Sequence, residues 1–418
     1  MKRLVTLLAV LLSVAVAFAQ EKDPQLEAEY AQRIFRAGVN MDPYEYLPGP
    51  QTPAPKGYRP FYISHYGRHG SRSNWAGTEY AAIQRKYRDA HNAGILTPEG
   101  EAVREQIDLL IKYHDNMDGR LTYLGTQEHR QIAARMYKNY RRVFHNGSKK
   151  ITARSSTVQR CIISMCAFTG ELMEREDGLD IHWDTGSELM KILSTDDPRW
   201  VRDSTRAILA RQAAAHVPDT AAFKNKIFSD PEKGRRICGD PIEMMQETYD
   251  MATGTAAFKM PETLYRVFSL GELYWYAQAL NMEFYLTQCN SKPFGDARME
   301  SVQPLAEDVI EKADSAIATG EYAADLRFGH DYQLLAFSSW LGVEGVGERL
   351  DAEECANWPG WKYTPFAGNL QLIFYRNKAG DVKVKVLLNE RETRVIGLEG
   401  FPYYDWKDIR ARLMEKAR

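Results

Sequence analysis

The densest grouping of reactive side chains in this chain is Arg68-His69-Gly70-Ser71-Arg72. Two guanidiniums so spaced suit a phosphate group. Each offers a planar fork of N–H donors, and together they neutralise the charge that gathers on the equatorial oxygens during displacement at phosphorus. The imidazole between them attacks phosphorus when it is neutral. Gly70 lets the backbone turn sharply and approach a neighbour closely. The pattern predicts phosphoryl chemistry with His69 as nucleophile. The plainer alternative is a surface turn whose arginines make routine ion pairs.

Such a cluster needs a frame, and the surrounding pattern supplies one. Phe61-Tyr62-Ile63 is a short β-type run that enters the polar stretch His65 to Asn74. Ile151-Thr152-Ala153 runs likewise into Arg154-Ser155-Ser156, followed by a helical pattern from Val158 to Met173. Ala324 to Gly329, His330-Asp331 and Tyr332 to Leu341 repeat the order of strand, polar turn and helix. Further helices are expected over Thr78 to Ala93 and Thr126 to Phe144. This alternation predicts an α/β fold, a mostly parallel sheet flanked by helices, with ligands beyond the carboxyl ends of the strands. Leu370 to Arg376 and Val382 to Leu388 read as a hairpin turned by Lys378-Ala379-Gly380-Asp381. Residues 175–310 are mostly helical in pattern. The expected organisation is therefore an α/β core of 20–174 and 311–418 carrying a mainly α-helical cap, 175–310.

Four separated segments carry a family resemblance: Phe61 through Arg72, Leu121-Thr122-Tyr123-Leu124-Gly125, Ala153-Arg154-Ser155-Ser156-Thr157-Val158-Gln159-Arg160, and Phe328-Gly329-His330-Asp331. In these the chain resembles the histidine phosphatase superfamily, in its acid phosphatase and phytase branch. The resemblance implies His69 as nucleophile, with Arg68, Arg72 and Arg154 as a phosphate clamp. It implies His330 as a further phosphate ligand and Asp331 as proton donor to the leaving alkoxide. No metal and no cofactor is implied, and the partner is a small-molecule phosphate ester. The stretches His65 to Arg72 and Asn369 to Tyr375 look most like multiple inositol polyphosphate phosphatases. Two departures stand beside this. His330-Asp331 replaces the His-Ala-Glu usual in those enzymes, and Asn74 stands where the acid phosphatase motif usually has Pro. Inositol polyphosphates such as phytate are the leading substrate class. A broad acid phosphatase, or an anion-binding protein without turnover, is the alternative.

Other tempting residues have ordinary readings. His65 lies four before His69, but the segment runs from strand to loop without a third metal ligand, so a structural or pocket-edge role is expected. His129, His182 and His216 read as common surface or core histidines, and Arg160 as a helix ion pair or a support to the pocket. Arg130, Arg135, Lys149 and Lys150 suit either a polyanion pocket or a solvated face. Asn146-Gly147-Ser148 matches a glycosylation sequon.

Lys2 and Arg3, the apolar run Leu4 to Val16 and Ala17-Phe18-Ala19 form a signal-peptide pattern over 1–19. The run is shorter than the roughly 20 residues of a membrane span. The chain is therefore expected to be exported, to a periplasm or beyond, with no stable membrane insertion after cleavage. A formal charge of −2 argues against nucleic acid as a partner. The cysteines at 161, 166, 238, 289 and 355 form no CxxC pair, which removes support for a zinc ribbon or a thioredoxin-like centre. Export would permit one or two disulfides.

Overall fold

Eight strands form one mixed sheet in the computed structural model, which describes residues 22–74 and 77–415. The signal-peptide pattern over 1–19 lies outside the described residues. The strands are β1 (Arg59–Arg68), β2 (Lys150–Ser155), β3 (Asp180–Thr185), β4 (Tyr322–Gly329), β5 (Asn369–Arg376), β6 (Val382–Leu388), β7 (Arg391–Glu392) and β8 (Tyr403–Asp405). Their order is β3-β2-β4-β1-β5-β6-β7, with β8 also paired to β6. β3, β2, β4 and β1 are mutually parallel, whereas β5 onward is antiparallel. The expected α/β fold is present, and the expected hairpin is β5–β6.

The helices that matter for the site are α1 (Gly77–Asn92), α2 (Pro98–His114), α3 (Tyr123–His145), α4 (Gln159–Arg175), α5 (Pro241–Thr253), α6 (Leu270–Gln288), α7 (Gln303–Thr319) and α8 (Asp331–Leu341). Side-chain alternation along the strands decides what each face meets. Ile63, Ile151, Ala153, Ala324, Leu326 and Phe328 pack against α3 and α4. Tyr62, Tyr66, Leu370, Leu372 and Phe374 pack with α6, α7 and α8 on the opposite face. A second apolar cluster joins α1 and α2 to α5 and to the first half of α6.

β3, like the short β7 and β8, is a strand that the sequence pattern does not announce. It is an edge strand with Trp183 about half exposed and little buried besides Ile181, so no apolar run marks it. Helix ends follow local chemistry. The Thr122 hydroxyl caps α3 by accepting the Gly125 N–H, and left-handed Gly320 and Gly342 terminate α7 and α8.

Candidate active site

β1 and β4 run parallel with Arg68 beside Gly329, so their carboxyl ends deliver Arg68-His69 and His330-Asp331 to one place. The His69 N–H donates to the Gly329 carbonyl (2.9 Å), which ties the two turns together directly. Gly70 then passes against the start of α3. A Cβ there would lie 2.5 Å from the Gly125 carbonyl oxygen, and one on Gly125 would lie 2.4 Å from that of Ser71. Glycine is required at both positions of this crossing. Buried Glu128 of α3 holds the loop from beneath, accepting the Ser71 N–H and hydroxyl (both 2.7 Å) and the Tyr44 N–H (2.9 Å).

His69 is buried, with Nδ1 2.9 Å from the Gly70 carbonyl oxygen. A carbonyl only accepts, so Nδ1 carries the proton and Nε2 holds the free lone pair. Burial, then Arg68, Arg160, His330 and Arg72, keep its pKa well below the ordinary histidine value. The ring is neutral, as a nucleophile requires.

Arg68 is fully buried. Its Nη1 donates to the carbonyls of Asn40 (2.5 Å) and Thr364 (2.7 Å), and Nη2 lies 3.0 Å from Asp331 Oδ2. The Phe366 ring lies beneath its guanidinium at 4.5 Å. Arg72 is also buried, and burial followed by the charges of Arg160 and Arg68 pushes it down to about 9. Asp331 opens α8. Its Oδ2 accepts from Asn40 Nδ2 (2.9 Å), and its Oδ1 accepts its neighbour Tyr332's N–H (3.0 Å). Burial raises the Asp331 carboxyl, but Arg68, the Asn40 hydrogen bond, His330 and Arg72 outweigh it and hold it at about 2. His330 immediately precedes α8, stacks on Tyr332 at 4.9 Å and lies near Ser156 Oγ (3.2 Å). Burial and then Arg160 lower its pKa to about 3.

The third arginine of the group is Arg160, not Arg154. Arg160, in the first turn of α4, reaches His330 Nδ1 (3.4 Å) and the Gly119 carbonyl (3.4 Å), and its charge depresses His69, Arg72 and His330 alike. The structure does not bring Arg154 to the group. Its guanidinium forms a two-pronged pair with Asp308 of α7 (2.7 and 2.8 Å). Register explains this. Arg154 sits beside Arg327, which in turn sits beside Tyr66, two positions short of Arg68 and on the face toward α7. Arg327 shares the same Asp308 carboxylate.

His65 is buried between the Phe168 and Phe328 rings (5.1 and 5.3 Å), and burial followed by His129 lowers it to about 3. Among the described residues, no group of three or more His, Cys, Asp or Glu stands in a metal-binding arrangement. Asn74 shows why proline is absent there. Its N–H donates to His114 Nε2 (3.0 Å), and proline has no N–H to give. Arg130, Arg135, Lys149 and Lys150 are engaged with Glu171, Glu390, Glu176 and Glu321 respectively. All five cysteines are free thiols, and Cys161 lies beside His330 (3.7 Å). Asn40, Glu128 and Asp308 carry no local sequence signal. Arg160 had one, since it closes the third motif segment at the start of a helix.

Solved structures with this fold include the multiple inositol polyphosphate phosphatase of Bifidobacterium longum in its apo form. The match has TM-score 0.69 and 18% identity, and covers 92% of this chain and 98% of that one. The phytase from D. castellii matches with TM-score 0.65 at 14% identity, over 91% and 85% of the two chains. The Klebsiella sp ASR1 phytase matches with TM-score 0.52 at 13% identity, over 86% and 96%. No protein-family model and no curated protein matches the sequence. The fold is thus the one that the resemblance to the histidine phosphatase superfamily implies. No described helix is long and apolar enough to cross a membrane.

Proposed function

We propose that the chain is a phosphomonoesterase of the histidine phosphatase type, working through a phosphohistidine on His69. The observation that carries this is the neutral His69 ring, with Nδ1 committed to the Gly70 carbonyl and Nε2 free among the charges of Arg68, Arg72 and Arg160. A bound ester places its phosphoryl oxygens against those guanidiniums. Nε2 attacks phosphorus, and the P–O bond to the alcohol breaks as Asp331 hands its proton to the departing oxygen. The phosphorylated ring becomes cationic, and its Nδ1–H bond to the Gly70 carbonyl strengthens accordingly. Water then attacks phosphorus and gives a proton back to the Asp331 carboxylate, releasing phosphate and neutral His69.

Asp331 is ionised in the empty site because Arg68 faces it. A phosphate dianion that draws on Arg68 removes that stabilisation and adds repulsion. Both effects raise the Asp331 carboxyl toward the protonated state in which it can donate. His330, with Nδ1 toward Arg160, presents Nε2–H to Ser156 or to a phosphate oxygen. The resemblance assigned the third clamp position to Arg154; the geometry supports Arg160 instead.

Inositol polyphosphates such as phytate are the proposed substrates, on the family resemblance and on the fold shared with enzymes named for that chemistry. One observation favours a second reading, a broad acid phosphatase: Arg130, Arg135, Lys149 and Lys150 are each held by a glutamate rather than offered to a polyanion. We read residues 1–19 as a cleaved leader and 175–310 as a cap on the catalytic core. The test is phosphate release by the purified chain from phytate and from an aryl phosphate, with His69→Ala as blank. His69-dependent release establishes the activity, and the preference between substrates chooses the reading. Release that survives His69→Ala removes the phosphohistidine.

A further inference from the structure

The segment before β1 enters the site and is held there from several sides. Residues Ile34–Met41 form a tight 3-10 turn, and inside it buried Val39 has φ 52° and ψ −108°. That backbone region is unfavourable for a β-branched residue and persists only where the surroundings enforce it. The surroundings are explicit. The Tyr249 hydroxyl of α5 donates to the Ala37 carbonyl (2.6 Å), and a Cβ on Gly38 would lie 2.8 Å from the Tyr265 hydroxyl. Arg36 stacks over Trp361 at 4.0 Å, Arg33 pairs with Asp42 at 2.8 Å, and the Phe366 N–H donates to the Asp42 carbonyl. The turn's product is Asn40, buried, with its carbonyl on Arg68 and its amide on Asp331.

We propose that Asn40 is a positioning residue for the proton-donating step: its amide holds Asp331 Oδ2, so that the proton is carried by Oδ1. The proposal rests on the phosphatase reading of His69 and Asp331. In the empty site Oδ2 accepts from the Asn40 amide and lies 3.0 Å from the Arg68 guanidinium, while Oδ1 accepts the Tyr332 N–H. When a phosphate engages Arg68, the Asn40 amide is the side-chain donor that stays, on Oδ2, while Oδ1 keeps the Tyr332 N–H on one lone pair and has the other for a proton. Oδ2 then takes the carbonyl role, and Oδ1 takes the proton that passes to the leaving alkoxide as the P–O bond breaks. An amide suits this place because it donates without charge. A lysine would add a fourth cation, and an ionised carboxylate has no N–H to offer.

The test compares kcat on phosphomonoesters of good leaving groups, such as nitrophenyl phosphate, with kcat on alkyl phosphates. Loss of a positioned general acid slows poor leaving groups by about 10²-fold and leaves good ones within about 3-fold. That pattern is expected of Asn40→Ala and of the bulk-preserving Asn40→Leu, with KM little changed for either class. Val39→Gly keeps the amide and should keep the wild-type ratio between classes, whatever it does to stability. The Asn40→Leu variant stands in should Asn40→Ala fail to fold. Equal losses on both classes, or no loss on either, overturn the role of Asn40 while His69-dependent hydrolysis by the wild type still stands. A wild type that releases no phosphate from either class overturns the phosphatase reading first.

Discussion

Two groups of buried arginine lie close together, Arg154 and Arg327 on β2 and β4, and Arg68, Arg72 and Arg160 at the end of β1, after it and in α4, and they are built on opposite principles. Arg154 and Arg327 face Asp308 and Asp325, so cations and anions match in number and every charge has a partner inside the protein. Burial lowers Arg327, but the two carboxylates outweigh it and leave its pKa raised. Arg68 faces the Asp331 carboxylate beside Arg72 and Arg160, while Glu128 is turned to the N–H groups of Ser71 and Tyr44. Burial and mutual repulsion push Arg72 down to about 9. A group in which buried cations crowd one another gains when an anion arrives, whereas one paired with its own carboxylates is finished on folding. The charge balance around a buried arginine, rather than its place in a motif, separates a ligand site from a structural one.

Substitutions should pull the two groups apart. The largest effect is expected from Arg160→Ala, a fall of about 10²–10³-fold in kcat/KM from the loss of transition-state charge stabilisation, with the fold retained. An Arg160→Ala enzyme with ordinary kinetics would return the third clamp position to Arg154. Asp308→Asn should do the reverse. It strands two buried guanidiniums and is expected to cost about 3–5 kcal/mol in urea unfolding, with KM for phosphate esters little changed in the folded fraction. A selective rise in KM without loss of stability would place Asp308 and Arg154 in the substrate site.

Acid should separate the carboxylate-paired group from the buried histidines of the neighbouring core. His65 and His129 are buried as neutral rings, both lowered to about 3, first by burial. The unfolded chain binds protons near 6.5 and the folded chain does not, so their contribution is fully present above 6.5 and lost as pH falls toward 3. The Asp308 carboxyl is raised by burial but lowered further by Arg327 and Arg154, so its contribution is present above about 4 and is lost only below that. Urea midpoints are therefore expected to decline already between pH 6.5 and 4, and His65→Leu should flatten that part of the curve. A flat profile in wild type down to pH 4 would contradict the neutral histidines. The smallest effect is expected at the surface. Lys150→Ala should leave KM for phytate unchanged, because Lys150 is exposed and paired with Glu321. A clear rise in KM would show the basic face helping to bind a polyanion.

Much of this arrangement was legible in the residues. The runs at 61–63, 151–153, 324–329, 370–376 and 382–388 are all strands, since buried parallel strands and a hairpin leave short, dense apolar signals. Arg68, His69, Arg72, His330 and Asp331 come together because each directly ends or follows a strand whose partner is adjacent in the sheet. Arg154 and Arg160 belong to one strand-turn-helix segment, and only register separates them: alternation turns Arg154 toward α7, and the first turn of α4 brings Arg160 over the strand ends. Asn40, Glu128 and Asp308 were silent because their partners lie far along the chain. A lone asparagine or carboxylate within a helix or loop looks the same whether it holds a catalytic group or water.

The Asn40–Asp331 contact spans 291 positions of sequence. A ribosome adding about 5–20 residues per second makes the asparagine roughly 15 to 60 seconds before its partner aspartate. From the synthesis of residue 160 until that of residue 331, the growing polypeptide holds His69, Arg72 and Arg160 but lacks the acid that the proposed mechanism requires. The strap threaded early thus waits for β4 and α8, and competence comes only near the end of translation. A fragment that stops short of residue 331 would lack that acid and, with it, β5 and the Thr364 and Phe366 contacts that hold Arg68.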